Sequence, residues 1–210
     1  MERKPLPLVN SLMKPAVLAA SAAILLGGCA LFGPNRISHS TIDPAYRLNE
    51  VFYAGAPGAM RTVVTGDPFG VGRERFDEAV TEAMYGHNFG PTMEFVTDPV
   101  KGLNRHYKVV MMFDAPLSTG GRAICEASPE LQPAAATTAA IPPADQPVRV
   151  LAAFCRDGTP LSDLAGVMAR TNLDDPAFQR FVGHMTMRLF PASNPEAQPD
   201  HDGDGFLLIP

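Results

Sequence analysis

Tyr107-Lys108-Val109-Val110-Met111-Met112-Phe113 is the stretch on which the fold turns. Its centre is apolar on both alternating faces, as expected of a strand interior to a sheet and covered from both sides. Downstream, residues 122–127 and Val148–Arg156 read as two more strands. Asp157-Gly158 makes a tight turn after the second, and residues 161–170 suit strand or helix equally. Upstream, Glu50-Val51-Phe52-Tyr53-Ala54 and Met60-Arg61-Thr62-Val63-Val64-Thr65 read as the arms of a hairpin around Gly55-Ala56-Pro57-Gly58.

Two segments carry helical period. Phe76, Ala79, Val80, Ala83 and Met84 recur at i, i+3, i+4, i+7 and i+8, with Arg73, Glu74, Asp77, Glu78 and Glu82 on the other side. Gly86 follows, suited to a left-handed cap. Near the other end, Asp175 is an N-cap and Pro176 fits the first helical position. Phe178, Phe181, Val182, Met185 and Leu189 then form one stripe, and Pro191 stops it. The order of elements predicts an α+β domain: a mainly antiparallel sheet with two amphipathic helices packed on one face. The domain is expected over residues 48–191, with a mobile Pro/Ala-rich loop at 128–147 and a polar tail at 192–210. Residues 29–47, with Gly33, Pro34, Ser38, Ser40 and Pro44, read as a tether.

The first 28 residues have a different character. Arg3, Lys4 and Lys14 precede an apolar run from Ala16 to Leu26, and Leu26-Gly27-Gly28-Cys29 closes it. This is a charged region, a hydrophobic region and a small-residue cleavage site, and it resembles the lipobox of bacterial envelope lipoproteins. The resemblance implies cleavage before Cys29, acyl chains on its sulfur and a membrane-held protein. Ala30 resembles the sorting residue of outer-membrane lipoproteins, which implies a domain facing the periplasm. The charge-free stretch 16–32 is only 17 residues long and contains two glycines, short of the roughly 20 apolar residues a spanning helix needs. The sheet-and-helix layout is also similar, at a coarse level, to small envelope lipoproteins without an assigned activity.

Composition narrows the partners. The chain carries a net charge of −5, and loss of residues 1–28 would leave −7 over 182 residues. Such an acidic domain has no electrostatic footprint for nucleic acid. Three cysteines are an odd number for an exported protein. With Cys29 lipidated, Cys125 and Cys155 remain, and an oxidising envelope would let them pair. No C-x-x-C redox pair occurs.

Motifs for catalysis are weak. Asp200-His201-Asp202-Gly203-Asp204-Gly205 matches the first half of a calcium loop, with Asp200, Asp202 and Asp204 as the candidate ligands. The closing acid of such a loop has no counterpart. Beyond it, Phe206-Leu207-Leu208-Ile209 has the composition of a docking strand. Residues 66–72 imitate a phosphate loop between a strand and a helix, but Arg75 occupies the place of its last glycine and no G-K-[ST] follows. His39, His87, His106, His184 and His201 show no ligand spacing, and no G-x-S-x-G elbow occurs. No cofactor is expected. A non-enzymatic, lipid-anchored domain that binds another envelope protein is the leading expectation. An envelope hydrolase acting on wall or lipid is the second, and a small-ligand or calcium-binding lipoprotein the third.

Overall fold

Strand β4 (Tyr107–Phe113) lies inside a six-stranded sheet, as its two apolar faces require. The computed structural model describes residues 35–98, 103–126 and 146–195. Their elements run β1 (Arg36–Ile42), α1 (Leu48–Gly55), β2 (Ala59–Thr65), α2 (Arg73–Met84), β3 (Glu94–Val96), β4, α3 (Arg122–Cys125), β5 (Val148–Arg156), β6 (Thr159–Met168) and α4 (Pro176–Leu189). The sheet order is β1-β6-β5-β4-β2-β3. The fold is therefore mixed α and β, with four helices among the described residues.

The mainly antiparallel expectation is overturned. β1/β6, β6/β5 and β5/β4 are antiparallel, whereas β2 runs parallel to both β4 and β3. The cause is local. Residues 50–54, read as a hairpin arm, are the body of helix α1, so β2 has no hairpin partner. It continues instead through α2 to reach β3 and β4, the long crossover that parallel pairing demands. Within α1, Val51 and Ala54 are buried and Phe52 and Tyr53 are exposed, a helical spacing that five residues are too few to distinguish from strand. Nor do residues 122–126 belong to the strand expected there. Gly121 leads into the single turn α3, whose Ile124 and Cys125 are buried against the sheet.

Part of the supposed tether is β1. Residues 36–42 are almost wholly exposed but pair along β6, so the ordered domain begins before residue 48. An edge strand that buries little carries no apolar alternation, and β3, three residues long, is equally silent in sequence. The ambiguous segment 161–170 is mostly strand β6. Asp157 and Gly158 turn the chain into it with φ of 49° and 79°, the twist that suits a two-residue hairpin.

The larger apolar cluster unites Val109, Met111, Phe113, Val150, Ala152 and Phe154 of the sheet with Phe76 and Val80 of α2 and with Phe178, Val182 and Met185 of α4. A smaller one joins the alternate positions Val63, Val110, Leu151, Ala153 and Cys155 to Ile124 and Cys125. Helix α4 starts as its sequence demands: the Asp175 side chain accepts from the Ala177 amide at 2.8 Å, with Pro176 beside it. Two close contacts seat this helix. The Ser162 hydroxyl of β6 donates to the Leu189 carbonyl at 2.5 Å, and the His87 ring lies against Gly183, where a Cβ would stand 2.9 Å from it. Residues 128–145 of the expected loop and 196–210 of the tail lie outside the described residues. Before the latter, Asn194 donates its side-chain amide to the Asp43 carbonyl at 2.9 Å and the Tyr46 carbonyl at 3.3 Å.

Candidate functional site

Cys29 and the candidate calcium ligands Asp200, Asp202 and Asp204 fall outside the described residues, as does His201. Cys125 of α3 and Cys155 of β5 form a disulfide with a Cα–Cα distance of 5.7 Å, within the span that bridged cysteines require. Among the described residues no group of three or more His, Cys, Asp or Glu side chains could hold a metal ion. No helix there is long and apolar enough to cross a membrane.

The loop that imitates a phosphate cradle is filled by its own side chain. Asp67 Oδ1 accepts from the Phe69 amide at 3.2 Å and the Gly70 amide at 2.9 Å, and Oδ2 accepts from the Gly72 amide at 2.8 Å. The amides that would hold a phosphate therefore already hold a carboxylate. Arg170 clasps the same loop from beyond the end of β6: its guanidinium, buried in the fold, donates to the Pro68 carbonyl at 2.7 Å and to Asp114 Oδ1 at 2.5 Å. The histidines are dispersed. His39 lies 2.8 Å from the Thr41 hydroxyl on β1, His106 lies 2.7 Å from Asp157 on an exposed turn, and His184 is exposed on α4.

One polar cluster does assemble across long sequence separations. The Tyr107 hydroxyl donates to Glu50 Oε2 at 2.6 Å, and Arg156 Nη1 lies 2.8 Å from Glu50 Oε1. Burial, then the Glu50 carboxylate, pushes the Tyr107 phenol up, and the hydrogen bond to Glu50 holds Arg156 more firmly protonated. Chemically this is a clamp. It fastens α1 to the ends of β4 and β5, and its three members lie too far apart in the chain for any spacing rule to find them.

The clamp sets what α1 presents outward. Phe52 and Tyr53, two and three positions beyond Glu50, are 49% and 67% exposed. The connector 85–93 lies against the same helix. A Cβ on Gly90 would meet Val51 at 3.4 Å and the Phe52 ring at 3.8 Å, and one on Gly55 would meet Met93. Phe89, next to Gly90, is 46% exposed, and Tyr85 at the start of this connector 54%. At roughly 150–250 Å² per aromatic side chain, these four together show on the order of 400 Å² to water. Apolar patches of that size on a monomer are often functional. They have no role in the ring contacts that tie Phe69, Phe76, Phe113 and Phe178 together in the core.

Their position is polarised. Tyr107, Arg156, Thr159, Ile42 and Ala59 mark one end of the sheet, and Phe113, Val148, Met168 and Arg36 the other. Phe52, Tyr53, Tyr85 and Phe89 belong with the first end, through the clamp, the Asn104 amide that donates to the Tyr53 carbonyl at 3.3 Å, and the connector into β3. The chain enters the domain at the second end, where the Ala169 amide donates to Asn35 Oδ1 at 2.8 Å. Comparison with protein-family models, with curated proteins and with solved structures finds no match.

Proposed function

We propose that this chain is a lipoprotein of the bacterial cell envelope, anchored through acyl groups on Cys29 in the outer membrane and facing the periplasm, and that its domain binds another envelope protein rather than catalysing a reaction. In this reading helices α2 and α4 cover one face of the sheet, α3 and the disulfide brace the other, and the sheet serves as a rigid mount. One observation carries the binding role: the exposed aromatic side chains gather at the sheet end opposite the point where the chain enters. Strands of seven residues span about 23 Å. The aromatic end lies roughly one strand length from the point where the chain enters the described domain.

The test is photo-crosslinking in intact cells with benzoylphenylalanine at Tyr53, compared with Leu117, a 90% exposed residue following β4 at the entry end. The expected result is one discrete adduct from position 53, lost when Phe89 is changed to Ser and absent from position 117. Equal background from both positions would end the binding reading.

A further inference from the structure

The aromatic end has a candidate occupant within the same chain. We propose that Phe206-Leu207-Leu208-Ile209 docks on the Phe52, Tyr53 and Phe89 surface, so that the chain's own segment competes with a partner for it. This rests on the reading of that surface as the binding site.

Where the described chain leaves the domain is the first argument. Asn194 is fastened to the carbonyls of Asp43 and Tyr46, and Tyr46 stands two residues before α1. Phe52 is six residues beyond Tyr46: two steps to Leu48 through the extended Arg47, up to about 7 Å, and four helical steps, about 6 Å. Ten residues, 196–205, separate Pro195 from Phe206, and such a stretch reaches up to roughly 35 Å. A stretch of that length brings the segment within reach of the surface.

Chemistry is the second. Four consecutive large apolar side chains follow a run rich in Asp and Gly, and burying such side chains against aromatic surface is favourable. Size is the third. The surface exposes on the order of 300 Å², less than half of the roughly 800 Å² per partner that a stable interface uses. It is too small for a second copy of this chain to hold by itself and matches a four-residue apolar segment.

The experiment uses the purified full-length chain with benzoylphenylalanine at Tyr53, irradiated at low concentration, with crosslinked peptides identified by mass spectrometry. The proposal expects an intrachain link from position 53 to residues 206–209 that does not change on dilution. It also expects loss of that link in the Leu207→Asp/Leu208→Asp variant, and none from a probe at Leu117. In cells, the same double variant should raise partner capture at position 53 severalfold. Links from position 53 only to other segments, or only between two copies, would overturn it. Partner capture without the intrachain link would overturn this inference and leave the binding reading standing. The intrachain link without any partner would overturn the binding reading and the competition with it, and leave only the docking of the segment.

Discussion

Asp163 shows what burial does to one side chain. It sits on β6 opposite Thr41 of β1, and burial pushes its carboxyl above the ordinary aspartate range, with His39 pulling weakly the other way. A raised carboxyl binds its proton more tightly in the folded chain than in the unfolded one. Its contribution to stability is therefore complete below the unfolded value near 3.8 and is lost as pH rises through the folded value. Asp163→Asn should accordingly raise the urea midpoint at about pH 7 and leave it almost unchanged at about pH 3.5; an equal shift at both would show that ionisation is not the cause. Asp77 on α2 moves in the same direction, again through burial, with Arg73 partly offsetting it, so one substitution removes only part of the pH dependence. Elsewhere a residue is dictated by space. A Cβ on Gly66, at φ +84°, would stand 2.4 Å from the Phe113 carbonyl oxygen, a backbone atom that cannot step aside.

Helix α1 is the element on which the candidate site depends, and the sequence conceals it. Residues 48–55 bury only Val51, Ala54 and Gly55, and an isolated helix this short is marginal in water. Its N-terminus has no side-chain cap. What holds it is tertiary: Tyr107 and Arg156 on Glu50, and Pro91 and Met93 against Gly55. Glu50→Ala should cost on the order of 1 kcal/mol, because the part-buried Tyr107 hydroxyl loses its acceptor while the 38% exposed Arg156 turns to water. Hydrogen exchange should quicken over residues 48–55 far more than in α4; uniform quickening across the domain would mean the clamp has no local role. By contrast α2 and α4 are legible from their residues alone, because each repeats its apolar stripe over more than two turns. α3 is not, since four residues have no period to read.

For the whole molecule, the Cys125–Cys155 bond spans 30 residues and links α3 to the interior of the sheet. Chain entropy alone makes such a closure worth roughly 3.5 kcal/mol. The Cys125→Ser/Cys155→Ser variant should lose about that much in denaturant unfolding, and intact mass of membrane-extracted protein should show those two thiols only after reduction. The same spectrum reads the anchor: a chain beginning at Cys29 with added acyl mass supports the lipoprotein proposal, and an uncleaved chain with three free thiols refutes it.

By itself the sequence determined the interior of this protein: the central strand, the apolar stripes of the two long helices with the stop of α2 and both ends of α4, the turn at Asp157-Gly158 and the two cysteines left to pair once Cys29 is set aside. These are local matters, decided by period, caps and turn chemistry within a few residues. Tertiary structure alone decided the parallel course of β2, the edge strands β1 and β3, and the helical state of residues 48–55. It also assembled the Glu50–Tyr107–Arg156 clamp and gathered the aromatic side chains at one end. Each of these depends on partners far away along the chain. Edge strands bury too little to leave an apolar pattern, and a short helix is held by what it packs against rather than by its own propensity.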